Sequence, residues 1–122
     1  MDEGGGRLPA GVVQGNAADE GAERGGWFMG HFLPPDDPRA SDAVEVKWGI
    51  HPAGEARAAW ATDARATSLS ILVQGRFRLY LPDAEVLLAR PGDYLLWPPA
   101  IPHHWRAEAD SVVLTVRWPS TK

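Results

Sequence analysis

From Ala43 to Trp118 every apolar stretch is cut short by glycine, proline or aspartate, and this punctuation confines the chain to short strands. "AVEVKWGIH" alternates, with Val44, Val46, Trp48 and Ile50 on one face and Glu45, Lys47, Gly49 and His51 on the other. "TSLSILVQG" stops at Gly75, and "RFRLYLP" sets Phe77, Leu79 and Leu81 against Arg76, Arg78 and Tyr80. "EVLLA", "YLLW", "HHWRAE" and "SVVLTVRW" follow, divided by "RPGD", Pro98-Pro99 and Ala109-Asp110. Such spacing predicts an all-β sandwich or barrel. Upstream, Trp27 to Phe32 suits a first strand, and "FLPPDDPRASD" reads as a loop. "PAGEARAAWATDARA" is compatible with a helical turn, although Pro52 and Gly54 break its start.

At 122 residues the chain is long enough for one core, and residues 27–122 are read as a single domain. Residues 1–26 hold glycine and charge with little to bury, which predicts a flexible tail. A net charge of −4 argues against a nucleic-acid partner. The absence of cysteine excludes disulfides, thiolate metal sites and cysteine nucleophiles. No apolar run is long enough to span a membrane, and "MDEGGGRLPAG" lacks the apolar core of a secretory signal, so a cytoplasmic protein is expected. There is no Gly-x-Ser-x-Gly elbow, phosphate-binding glycine loop or HExxH.

The stretch "RPGDYLLWPPAIPHHW" resembles the second sequence motif of the cupin family, small double-stranded β-helix (jelly-roll) barrels of the RmlC-like kind. Gly92, Pro98 and His103 stand at the motif's anchor positions, with Ala100 where the motif has a second glycine. The resemblance covers roughly Ala43 to Trp118 and implies the cupin jelly-roll barrel, with His103 projecting inward. The first cupin motif is degenerate. With Gly75 as its glycine, its glutamate falls on Ser68, and its two histidines fall on Thr62 and Ala64 or on Ala61 and Asp63. Three of the four metal ligands that the resemblance implies are therefore absent. The expected cofactor is none; a divalent transition metal held by His103 and His51, with Asp63, Glu55 or His104 completing the set, is the alternative.

His104 follows His103 and points to the opposite face of its strand, whereas Trp105 shares the face of His103. His31 suits a surface or interface. His51 shares a face with Glu45 and Lys47, and that face is either the solvent side or the polar lining of the barrel. The second option puts His51 and His103 in one cavity. Six tryptophans, Trp97 among them, suggest an aromatic-walled pocket. Ser68, Ser70, Arg78, Tyr80 and Arg117 are candidate polar points in it. The function expected is metal-free binding of a small organic molecule, aromatic or apolar, with natural-product biosynthesis as the setting the resemblance implies. The alternative is a cupin enzyme: a metal-dependent dioxygenase or isomerase, or a metal-free epimerase or cyclase. The metal-free enzyme would use His103 or His51 as base and Tyr80 or an acid as proton donor. The resemblance also implies a homodimer, for which the Trp27–Phe32 edge is a candidate.

Overall fold

The computed structural model describes residues 7–121. Among the described residues nine strands carry the fold: β1 Trp27–Met29, β2 Glu45–His51, β3 Ala56–Ala61, β4 Thr67–Gln74, β5 Phe77–Leu81, β6 Ala84–Leu88, β7 Tyr94–Trp97, β8 His103–Ala107 and β9 Ser111–Trp118. The segment left open between helix and strand is β3. Its tight Pro52–Glu55 turn feeds it directly into pairing with β8.

The pairing is nested. β5 and β6 form the innermost hairpin, β4 pairs β7, β3 pairs β8, and β2 pairs β9, all antiparallel. Two further pairings, β4 with β9 and β5 with β8, wind this long hairpin into two sheets, ordered β1-β2-β9-β4-β7 and β3-β8-β5-β6. That is the jelly-roll barrel expected from the sequence. The sheets close on Leu72, Phe77, Leu79, Leu88, Trp97, Ala107 and Val113, each buried, with Val86, Leu95, Ile101 and Trp105 packed against them. At about 25 cal/mol per Å² of apolar surface, this cluster is the main driving force for closure.

The tail expected over residues 1–26 begins in residues 1–6, which lie outside the described residues. Further on, the chain is not featureless. Ala17–Glu20 forms one helical turn, α1, and Ala22–Arg24 a 3-10 turn. Asn16 caps α1 by accepting from the Asp19 amide at 3.1 Å, and the Glu20 carboxylate accepts from the Asn16 amide at 3.1 Å. Arg39 pairs with Glu20 at 2.7 Å, and the Trp48 amide donates to the Gly26 carbonyl at 2.9 Å. These local bonds offset an ordering entropy that composition alone counts as uncompensated. Among the described residues no helix is long and apolar enough to cross a membrane.

At the corner between β7 and β8, Ala100 has a φ of +70°. This left-handed conformation is one that glycine adopts freely and alanine does not. The turn is held because the Ala100 amide donates to the Asp63 carbonyl at 2.7 Å. The corner therefore keeps the backbone of a glycine with an alanine in place.

Candidate functional site

Strand alternation decides which side chains enter the barrel. On β2, Glu45 and His51 are each 8% exposed while Ile50 is 60% exposed. The polar face of β2 therefore points inward and its apolar face outward, which settles the two options for His51. The register carries this inversion across the sheet: Lys47 lies opposite Thr115, and Thr115 opposite Ser70. The result is one cavity lined by Lys47, His51, Arg57, Ser70, Thr115, His103 and Arg117, with Phe77, Leu79, Trp97, Trp105 and Val113 as its apolar walls. Phe77, Leu79, Trp97 and Val113 also belong to the core, so the cavity is the polar continuation of that core.

His51 is clamped on three sides. Its Nδ1 donates to the Glu55 carboxylate at 2.5 Å, and its ring lies 4.5 Å from Trp105 and 5.3 Å from Phe77. Nδ1 carries the hydrogen, because a carboxylate only accepts. Burial pushes the His51 pKa below the ordinary imidazole value, against the Glu55 hydrogen bond that would raise it. A neutral ring with an acceptor Nε2 is the outcome at neutral pH. His103 is arranged in the same way. Its Nδ1 donates to the Ile101 carbonyl at 3.0 Å, and its ring lies 4.9 Å from Trp97. Burial lowers its pKa too, the Ile101 bond opposes this, and Arg117 and Arg57 push it further down.

The charge in the cavity is positive. Lys47 is half-buried, and its pKa is lowered first by burial and then by Arg57 and Arg117. Arg117 lies 3.6 Å from both Glu45 and Asp63 and 4.3 Å above the Trp27 ring. No carboxylate is among the residues that line the cavity.

The expected site residues divide as follows. His51, His103, Trp97, Trp105 and Ser70 share the cavity, and Ser70 bonds Thr115 at 2.8 Å. Ser68 is buried on the same face of β4 but does not reach the cavity wall. Arg78 and Tyr80 are on the wrong side of β5: Phe77 and Leu79 occupy its inner face, so Arg78 pairs with Glu108 at 2.6 Å and Tyr80 stacks on His104 at 4.4 Å. Trp60 meets the outer ring of His104 edge-on at 4.5 Å. His31 bonds Ser120 at 2.6 Å, outside the cavity. Lys47, Arg57 and Thr115 are the polar lining residues that sequence reasoning missed as site residues. Lys47 was legible as the neighbour of His51 on one face; Arg57 sat in a segment with no readable period.

The metal set His51, His103 and Asp63 does not assemble. Among the described residues no three His, Asp or Glu side chains converge on one point. Asp63 is already committed: its Oδ1 accepts from the Arg65 and Ala66 amides at 2.9 Å each, and its Oδ2 faces Arg117. Burial alone would raise its pKa, but these amides and Arg117 hold it below the usual value. His51 and His103 therefore have Lys47, Arg57 and Arg117 beside them in the cavity and no carboxylate on its wall.

The free volume is about 50 Å³. That is room for a few waters, and well below the roughly 300–1,000 Å³ of pockets that enclose drug-sized ligands.

No protein-family model matches the sequence, and no curated protein matches it either. Solved structures do match. KdgF from Halomonas sp. superposes with a TM-score of 0.60 at 23% identity, over 66% of this chain and 74% of that one. A cupin superfamily protein from Desulfitobacterium hafniense gives 0.58 at 22%, over 64% and 69%. An RmlC-like cupin from Desulfovibrio desulfuricans gives 0.57 at 22%, over 65% and 74%. The chain has the cupin fold.

Proposed function

We propose that this small cupin-fold protein binds a compact organic anion, a short-chain carboxylate, at the mouth of its barrel. The observation that carries the reading is the lining itself: Lys47, Arg57 and Arg117 converge there with no carboxylate on the wall. A carboxylate ligand would take charge-assisted bonds from these cations. Its carbon chain would lie against Trp97 and Trp105. The neutral His51 and His103 would offer Nε2 acceptors to a hydroxyl or a second, protonated group. The expected aromatic or apolar ligand is revised accordingly, since an aromatic ring exceeds the free space and a purely apolar molecule would offer the half-buried Lys47 ammonium no partner. A setting in natural-product biosynthesis rests on resemblance alone.

The test is thermal denaturation with two- to four-carbon carboxylates (acetate, pyruvate, malonate), compared with neutral alcohols of equal size. A ligand at about 100 times its Kd adds about 2.7 kcal/mol. Carboxylates should raise Tm saturably and alcohols should not. In Lys47→Met the carboxylate shift should collapse. An unchanged shift in that variant, or no response to any carboxylate, refutes the reading.

A second reading makes the barrel an enzyme, and the His51–Glu55 pair favours it. A buried neutral imidazole, oriented by a carboxylate and facing a cationic cavity, has the arrangement of a general base acting next to a bound carboxylate. Tyr80 is removed from this scheme because it lies on the outer face. Deuterium exchange at the α-carbon of a bound carboxylate in D2O, lost in His51→Gln, would support it; no exchange with a ligand shown to bind would end it.

A further inference from the structure

The chain on either side of β1 closes a second cleft against β2 and β9. Arg24, Trp27, His31, Phe32, Glu45 and Arg117 line it, and its free volume is about 270 Å³. Arg117 also lines the barrel cavity, so the two spaces share one wall. An apolar cavity of about 150 Å³ is large enough to hold benzene, so the cleft has room for one substituted aromatic ring. The barrel cavity, at about 50 Å³, does not.

Two walls of the cleft are aromatic. Trp27 and Phe32 meet edge to face, with ring centroids 6.4 Å apart and planes at 68°, which makes a corner rather than a stack. The Arg24 guanidinium stands 5.8 Å from the Phe32 centroid. Two carbonyls hold it there: its Nε donates to Trp27 at 3.2 Å and its Nη2 to Glu20 at 3.2 Å. These acceptors fix its position without cancelling its charge. The nearby carboxylates are engaged elsewhere, Glu20 and Asp37 with Arg39 and Glu45 with Arg117.

His31 and Glu45 are joined through Ser120, which is 1% exposed. The Ser120 hydroxyl stands 2.8 Å from Glu45 Oε1, 2.6 Å from His31 Nδ1 and 2.9 Å from the His31 amide. A hydroxyl has one hydrogen to give and two lone pairs to offer. The carboxylate only accepts, so it takes that hydrogen, and the amide and Nδ1 donate to the oxygen. His31 Nδ1 therefore carries a hydrogen, and Nε2 is the ring nitrogen left for a ligand.

We propose that this cleft binds a single-ring aromatic carboxylate, at a site separate from the one in the barrel. The ring packs into the corner between Trp27 and Phe32. Its carboxylate takes charge-assisted bonds from Arg24, whose guanidinium is already oriented for them. A hydroxyl on the ring, where there is one, donates to His31 Nε2. Ser120 and Arg117 offset the charge of Glu45, so the wall it belongs to admits an anion.

The test is NMR of the indole N–H signals during titration with benzoate, with Trp27, Trp97 and Trp105 assigned by single Trp→Phe variants. Benzoate should shift the Trp27 signal saturably and leave Trp97 and Trp105 in place. Benzyl alcohol, which has the ring without the charge, should bind at least about ten-fold more weakly. Arg24→Gln should raise the benzoate Kd by about ten-fold or more, because a bond between two charged groups is lost. Far-UV circular dichroism checks that this variant is folded, and the titration of the unmodified chain decides the matter if it is not. A Trp27 signal that benzoate leaves in place overturns the inference, as does an unchanged Kd in folded Arg24→Gln. A response confined to Trp97 and Trp105 also overturns it, by placing the ring in the barrel. The acetate response belongs to the barrel and depends on Lys47 rather than Arg24, so either site can fail without the other.

Discussion

Gly49→Ala is a change whose sign reports the position of His51. Gly49 is buried on β2, between Lys47 and His51 on the inner face. A Cβ there would lie 2.7 Å from His51 Nε2 and 3.3 Å from the Val113 carbonyl. The first distance is too short, so the ring has to move. It is held by Glu55 at 2.5 Å and wedged against Trp105 and Phe77, so moving it strains or breaks the Glu55 bond. A hydrogen bond to a charged group contributes about 1.5–3 kcal/mol. Glu55 is half exposed, so the lower end applies. Alanine recovers about 0.5–1 kcal/mol by restricting the unfolded chain. The net is a loss of about 1 kcal/mol, or about 4 °C in Tm for a chain of this size. Calorimetry measures the loss, and NMR titration of His51 reports the cause: a ring pushed toward water should titrate closer to the ordinary imidazole value. A Tm that rises by what an unhindered Gly→Ala change in a strand provides, with His51 titrating as before, would refute the placement of the ring.

Two further predictions rest on other parts of the barrel. His51 and His103 both have folded pKa values below the ordinary imidazole value of about 6.5. The unfolded chain therefore takes up protons that the folded one does not. The stability these groups contribute is complete above about pH 6.5 and is lost as pH falls through their folded values. Urea midpoints measured between about pH 8 and pH 5 should fall over that window, and the fall should shrink in the His51→Gln, His103→Gln double variant; an equal fall in both proteins would assign acid sensitivity elsewhere. Ala100→Gly should stabilise the fold by about 0.5–1 kcal/mol, because the left-handed φ costs an alanine about 1–2 kcal/mol and glycine returns part of that as unfolded-state entropy. Denaturant titration checks it, and a destabilised variant would mean that the alanine methyl is needed at the corner.

The strands were legible in the sequence because glycine, proline and aspartate mark their ends, and the jelly roll was legible because "RPGDYLLWPPAIPH" matches a recognisable corner. The orientation of each strand was harder. Alternation divides β2 and β5 into faces, but it does not say which face is inside. On β5 the usual rule holds, so Phe77 and Leu79 enter the core, and the expectation that Arg78 and Tyr80 reach the pocket fails. On β2 the rule is reversed, with Lys47 and His51 inside and Ile50 outside. β9 shows the same reversal, since "SVVLTVRW" is apolar on its outer face at Val112, Leu114 and Val116 and carries Thr115 and Arg117 on its inner one. The cationic cavity and the uncharged outer face are thus two consequences of one choice of strand orientation. A chain that turned β2 over to bury Val46 and Trp48 would place Lys47 in water and lose the cluster with Arg57 and Arg117.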